Sequence, residues 1–321
     1  MDIASAAGVS RQTVSRAMND MPDINAETRQ RVLDVARELG YRPSRFGRGL
    51  VTTGQQTIGL LVDNLTNPYY GELAAAVVAD AAGVNMSVLL LDTSRVEDEH
   101  AFLTALAPQV DALVGYVKID RRELDLLLPG VPVVRIDVPS RAGGPHWGGV
   151  RFDLEPGVRE AVDHLHAHGV RRPLMLDSDP LENPSDRARM MIDTWAARGV
   201  EMSVVSAGGQ DARSGEEATA GRLEAVRGAD AIMAFNDYLA FGAMKTLRKN
   251  GIRVPEDTRV IGIDGLAAGT YTSPELTTLG VDMRAVARFA VSTARHLLDQ
   301  DGSPGRRWTK VGYRLIVRES A

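Results

Sequence analysis

The feature that most constrains this chain is a change of hydrophobic rhythm near residue 57. Before it, apolar residues recur only at helical spacing. After it, short continuous apolar runs alternate with helix-like stretches. The runs Ile58-Gly59-Leu60-Leu61-Val62, Ser87–Leu91, Ala112–Val117 and Val131–Ile136 read as strands, with a helix near Tyr70–Ala82. A second cycle starts with a helix over Pro156–His168. It continues with strands at Leu174–Leu176, Ser203–Ser206, Ala231–Phe235 and Val260–Ile263. Strands that are apolar on both faces and alternate with helices belong to parallel sheets covered on both sides. Two cycles predict two α/β lobes. Ligands of such sheets sit outside the carboxyl ends of the strands, so facing lobes place a site in the cleft between them. The length, 321 residues, suits one small and one large unit.

The small unit is the first fifty residues. A helix over Asp2–Ala7 ends at Gly8, which supplies the positive φ of a tight turn. Ser10 then caps a second helix, from about Arg11 to Met18, with Val14, Ala17 and Met18 as its buried stripe. Asn25 caps a third helix running to Leu39, and Gly40 ends it. Two short helices joined by a glycine turn form a helix-turn-helix, whose second helix enters the major groove. Arg pairs with guanine and Gln with adenine there through two hydrogen bonds each. Eight arginines against six acids give this head +2, whereas the rest of the chain carries −7 of the net −5. A basic head on an acidic body suits DNA binding by the head alone. On periodicity alone, a helical hairpin with a solvated polar face fits equally well.

The wording of the segment separates these readings. Ala7-Gly8-Val9-Ser10-Arg11-Gln12-Thr13-Val14-Ser15-Arg16-Ala17-Met18-Asn19 closely resembles the signature of the LacI/GalR family of repressors. The match continues through Glu27-Thr28-Arg29, Arg31-Val32 and Leu39-Gly40-Tyr41-Arg42-Pro43. The resemblance implies that Arg11, Gln12 and Arg16 read bases, while Ser10, Thr13 and Asn19 help hold the DNA backbone. It also implies that Ser44–Leu50 is a hinge that becomes helical on DNA, with Leu50 wedged into the minor groove. Such a wedge unstacks a base step at a cost of roughly a few kcal/mol, offset by added contacts. Gly47 and Gly49 stand where the family commonly has Ala or Ser, each disfavouring helix by about 1 kcal/mol. This hinge is therefore expected to be more costly to order. Family members carry several residues before the position of Asp2, and the expectation is that an upstream segment completes the first helix.

The body resembles the same family in Asp63-Asn64-Leu65-Thr66-Asn67-Pro68-Tyr69-Tyr70, Phe235-Asn236-Asp237, Ile261-Gly262-Ile263-Asp264 and Pro274-Glu275-Leu276-Thr277-Thr278. The fold implied is that of periplasmic sugar-binding proteins, with three chain crossings between the lobes. Carried over position by position, Arg187 is implied to bind sugar hydroxyls or a carboxylate, although Met190 replaces a family glycine. Asn236 and Asp264 follow strand ends, where polar groups reach a ligand. An Arg fork, an Asp acceptor and an Asn that does both suit a polyol. Tyr69 and Tyr70 are placed to stack on an apolar sugar face. Asp237 fits a helix cap as well as a ligand contact, and Tyr69 fits the core as well. Gln210 and Val281 depart from the sugar-sensing pattern. Trp147, in the Gly-rich run Gly143–Gly149, is either a lid on the cleft or an exposed loop residue.

Enzyme chemistry finds little support. There is no cysteine, which excludes thiolate nucleophiles and disulfides. His164, His166 and His168 alternate over different faces of a predicted helix, and no HExxH pattern surrounds them. No GxSxG elbow or P-loop is present. No catalytic residue, metal or cofactor is expected. No run reaches the ~18 apolar residues of a membrane span, and the N-terminus lacks a signal-peptide core, so a cytoplasmic location is expected.

The combined reading is an N-terminal all-α helix-turn-helix head plus an α/β two-lobed, periplasmic-binding-protein-like sensor domain with parallel sheets. Residues 1–43 form the head, 44–56 the hinge and 57–321 the sensor. Lobe 1 takes about 57–152 and 282–307, and lobe 2 about 153–281 and 308–321. The expected function is a DNA-binding transcription regulator, a repressor, acting as a homodimer on a near-palindromic operator. A small-molecule effector between the lobes, by default a saccharide, sets its operator affinity; a nucleobase or no ligand are alternatives. A cytoplasmic ligand-binding protein with an inactive head is the alternative from another class.

Overall fold

A computed structural model of the chain describes residues 3–18, 24–38, 55–137, 146–299 and 307–321. The chain divides into two compact units, Met1–Gln56 and Thr57–Ala321. Two residues expected at DNA, Asn19 and Leu50, lie outside the described residues, as does the hinge up to residue 54.

The head holds helices α1 (Ile3–Ala7), α2 (Arg11–Met18) and α3 (Ala26–Glu38). Gly8 turns the chain between the first two at φ +68°. Ser10 Oγ accepts the Thr13 amide at 3.0 Å, and Asn25 Oδ1 accepts the Thr28 amide at 2.7 Å. Each caps an otherwise unpaired N–H, worth about 1 kcal/mol. Ala7, Ala17 and Val32 form a small buried core, with Val9, Val14, Ile24 and Val35 packed around it.

The body contains two six-stranded sheets. The first comprises β1 (Thr57–Val62), β2 (Ser87–Asp92), β3 (Ala112–Gly115), β4 (Val133–Ile136), β5 (Trp147–Asp153) and β11 (Trp308–Gly312). Their order is β11-β5-β4-β3-β1-β2, and every pairing is parallel. Helices α4 (Pro68–Gly83) and α12 (Met283–Asp299) cover one face. The other is covered by α5 (Glu99–Leu106) and α6 (Arg121–Leu127).

The second sheet comprises β6 (Pro173–Asp177), β7 (Ser203–Ser206), β8 (Ala231–Ala234), β9 (Arg259–Asp264), β10 (Thr277–Gly280) and β12 (Arg314–Ile316). The order is β12-β10-β9-β8-β6-β7, with only the edge pair β10–β12 antiparallel. One face packs on α7 (Glu155–Ala167) and α8 (Asp186–Ala196), the other on α9 (Ala212–Gly221), α10 (Leu223–Gly228) and α11 (Asp237–Lys249). Buried apolar strands, β1 and β8 for example, explain why the strand pattern was continuous and not alternating.

Among the described residues the chain passes between the sheets at 153–154, 281–282 and Tyr313. This corrects the expected lobe boundary at 308. Trp308–Gly312 belongs to the first sheet, where Trp308 pairs with Gly149 and Gly312 with Asp153. Tyr313 N–H then donates to the Asp153 carbonyl at 2.9 Å, its ring meets Phe152 edge-on, and β12 starts in the other sheet. Val281, at another crossing, packs against the cores of both lobes.

Trp147 is neither a lid nor exposed. It opens β5 with 2% of its surface accessible, and its Nε1–H donates to Asp125 at 2.9 Å. The neighbouring glycines mislead because they reflect close packing. A Cβ on Gly148 would meet Thr293 at 2.5 Å and the Arg307 carbonyl at 2.7 Å. One on Gly149 would lie 2.5 Å from the Trp308 ring.

Candidate functional site

The site lies in the body, at the carboxyl ends of both sheets. A cleft of about 850 Å³ there falls within the size range of small-molecule sites. Its second-lobe wall starts from Asp177, the last residue of β6. This wholly buried carboxylate accepts from Ser185 Oγ at 2.6 Å and from the Ser185 amide at 2.8 Å. Ser185 in turn caps α8 through the Ala188 amide at 3.0 Å. The cap fixes the first turn of α8, and that turn carries Arg187 into the cleft. Arg187 Nη1–H donates to the Phe235 carbonyl at 2.6 Å, with the guanidinium 4.5 Å above the Phe235 ring. Asp264, the last residue of β9, lies 3.7 Å from the same nitrogen.

The first-lobe wall is aromatic. Asn67 caps α4 by accepting the Tyr69 amide at 3.0 Å, which sets the start of the helix that presents Tyr69 and Tyr70. Tyr116 follows the end of β3, and its hydroxyl lies 2.7 Å from that of Tyr69. The three rings meet edge-to-face, with Tyr70 5.3 Å from each of the other two. Tyr70 O–H donates to Asp63 at 3.3 Å, and Lys118 Nζ is 3.2 Å from the same carboxylate. Asp137, just beyond β4, completes this wall at φ +60°.

Burial decides the electrostatics. It pushes the Asp264 carboxyl up to about 8; Arg187 opposes this, while Asp237 and Glu72 add to it. Burial also raises Asp137, against the pull of Arg187. For Arg187, burial alone would lower the pKa, but Asp264 and the nearby tyrosines leave it raised. The four tyrosines Tyr69, Tyr70, Tyr116 and Tyr313 are all raised by burial and stay neutral. The cleft therefore offers a permanent cation with a donor fork, carboxyls that accept or share a proton, and apolar ring faces. Such groups recognise a polyhydroxylated molecule.

Of the sequence-predicted ligand residues, Tyr69, Tyr70, Arg187, Asn236 and Asp264 all line this one cleft. They are not equivalent. Asn236 is 2% exposed, and its amide is engaged within its own lobe. Its Oδ1 accepts the Leu239 amide at 2.8 Å, and its Nδ2 donates to the Gln210 carbonyl at 2.9 Å. Asn236, not Asp237, is the cap of α11, which corrects the helix-cap alternative for Asp237. Asp237 is wholly buried and accepts from Thr278 Oγ1 at 2.6 Å and the Leu266 amide at 2.8 Å. Burial raises its carboxyl to about 6. Tyr116, Asp137, Phe235 and Tyr313 also line the cleft and were not singled out as ligand residues. Tyr116 and Asp137 follow strand ends, the signal that pointed to Asp264.

In the head, α2 carries exposed Gln12 and Arg16, and Ser10 sits exposed at its start. Thr13 is half-buried, its hydroxyl 2.9 Å from that of Ser10. Arg11 opens the helix.

The comparisons with known proteins match both units. The family described as "Bacterial regulatory proteins, lacI family" matches residues 1–44, and the "Periplasmic binding protein-like domain" matches 162–321. The chain is 30% identical over 303 residues to the HTH-type transcriptional regulator GalS of Salmonella typhimurium, covering 91% of this chain and 88% of that protein. A LacI family regulator from Arthrobacter sp. FB24, solved in complex with lactose, superposes with a TM-score of 0.76 at 31% identity. That match covers 83% of this chain and 99% of that one. The lac repressor dimer bound to operator and the anti-inducer ONPF superposes with a TM-score of 0.70 at 26% identity, covering 99% and 97%.

Proposed function

The chain belongs to the LacI family of bacterial regulatory proteins, and on that premise we propose that it is a repressor whose operator affinity is set by a saccharide held between its two lobes. It is a transcription regulator and not an enzyme. The observation that carries the ligand reading is Arg187 and Asp264 opposite the Tyr69–Tyr70–Tyr116 cluster. Fork donor, acceptor and ring faces converge on one cleft, as sugar hydroxyls and C–H faces require.

In this reading residues 1–43 are the head, 44–56 the hinge and 57–321 the sensor. Two copies pair, and their heads bind half-sites of a near-palindromic operator about one helical turn apart. Arg11, Gln12 and Arg16 contact bases, Ser10, Thr13 and Asn19 the DNA backbone, and Leu50 the minor groove. The protein works in the cytoplasm, where its operator is. The similarity to an operator-bound lac repressor dimer and to a lactose-bound regulator supports this reading. A ligand shifts operator affinity only by its differential affinity for the two lobe arrangements.

Selection of bound sequences from random duplex DNA tests the regulator reading. Enrichment of a short near-palindrome is expected. A folded head that enriches no sequence would leave a ligand-binding protein with an inactive head.

A further inference from the structure

Asp264 ends β9 at φ +131°, a conformation that residues other than glycine seldom adopt. The three amides after it are each tied to a different side chain. Gly265 N–H donates to Thr278 Oγ1 at 3.2 Å, Leu266 N–H to Asp237 Oδ2 at 2.8 Å, and Ala267 N–H to Glu72 Oε1 at 3.0 Å. Thr278 O–H donates onward to Asp237. The first two partners belong to the second lobe. The third stands on α4 of the first lobe, within a turn of Tyr69 and Tyr70.

Glu72 thus makes a polar bond between the lobes, to the amide three residues beyond the cleft carboxylate Asp264. Its acceptor is charged, which strengthens the bond. Ala267 is exposed, so water takes over its N–H once Glu72 is removed. The loop it holds has little freedom. Strain at Asp264, a part-buried bond at 265 and a buried one at 266 make 264–267 a stiff link from the cleft to α4.

We propose that Glu72 is a positioning residue for the ligand response, joining the Asp264 loop to the tyrosine-bearing helix of the opposite lobe. A hydroxyl compound that moves the Asp264 carboxylate moves Ala267, and Glu72 passes that movement to α4. Glu72 is also among the groups that raise the Asp264 carboxyl, after burial and Asp237. The ligand role rests on the cleft reading above; the inter-lobe bond itself does not.

The absence of cysteine makes a clean test possible. Exposed Glu97 in the first lobe and Ala196 in the second are changed to Cys and spin-labelled in the full chain. Labelled protein is diluted with unlabelled chain, and the inter-lobe distance distribution is measured by pulsed dipolar spectroscopy without saccharide or DNA. Glu72→Ala is expected to shift or broaden the distribution. Glu72→Gln, whose amide oxygen still accepts, is expected to keep it. Ala267→Pro removes the same bond from the other side. Leu266 already holds φ −58°, ψ 140°, the extended form that precedes proline, so the substitution fits the backbone. It should reproduce Glu72→Ala, and the double variant should add nothing. Amide exchange over 265–270 should quicken about tenfold in the Ala variant, the loss of one charge-assisted hydrogen bond.

Wild-type distances and exchange in both Glu72→Ala and Ala267→Pro would overturn the proposal. So would a Gln variant as disturbed as the Ala variant. Should Glu72→Ala fail to fold, Ala267→Pro decides alone. A chain that enriches no operator yet loosens on loss of Glu72 would lose the regulator reading and keep this one.

Discussion

Arg187 Nη1 stands 3.7 Å from Asp264 Oδ1, an ion pair without a hydrogen bond, because that nitrogen is committed to the Phe235 carbonyl at 2.6 Å. Asp264 is therefore attracted but not satisfied. Its burial outweighs the attraction and holds the carboxyl near about 8. In the proposed function, a ligand hydroxyl that donates to Asp264 supplies what Arg187 does not.

This arrangement makes stability depend on pH. An acid raised in the folded state binds its proton more tightly there than in the unfolded chain. Its contribution is greatest at acid pH and is lost as pH rises from about 3.8 towards about 8. Asp237 acts in the same direction between about 3.8 and about 6. Asp264→Asn removes the first contribution. Above pH 8 the variant should be more stable than wild type, by on the order of a few kcal/mol. The gap should close below pH 4. Scanning calorimetry from about pH 3 to 9 reads the difference; a gap that widens towards acid would contradict it.

Arg187 serves as a fork over a ring, so a point charge does not replace it. Arg187→Lys should weaken the effect of any saccharide that shifts operator binding at least about tenfold, the range of a charged hydrogen bond. Ligand-free operator affinity should stay within about twofold of wild type, since Arg187 acts in this account only through the ligand it binds. Anisotropy titrations of labelled operator measure both.

Ser185 joins Asp177 to the start of α8. Ser185→Ala removes a helix cap and one donor to a buried carboxylate, costing about 1–3 kcal/mol. The denaturation midpoint in urea should fall with an unchanged slope. Ligand response should fall as well, because Arg187 follows Ser185 by two residues.

In the head, Gln12 is exposed on α2. Gln12→Ala should cost about 1–3 kcal/mol at one operator position and relax the base preference there. Competition binding with singly substituted operators checks this. Equal loss on every sequence would make Gln12 a phosphate contact.

Much of this was legible in the sequence where residue type and backbone need agree. Ser10 and Asn25 cap helices because a short oxygen side chain follows a turn, and both caps form. Motif and strand-end position pointed to Arg187 and Asp264, and both line the cleft. Asp137 obeyed the same strand-end rule. Strand β5 was missed because Gly148 and Gly149, required by close neighbours, imitate a loop. Tyr313 gave no signal: its place depends on β11 pairing in one sheet and β12 in the other. Glu72 likewise meets the loop after Asp264 through a contact 195 residues away. Local pattern does not report such pairings.

The most direct test of the central claim is the operator Kd of the full chain across a saccharide panel, for wild type and Asp264→Asn, on the sequence enriched from random duplex. At least one saccharide should change the wild-type Kd by about 5–150-fold, the usual span of a coupling between two sites, and leave the variant unmoved. No response from wild type, or an equal response from the variant, would contradict control of DNA binding through this cleft.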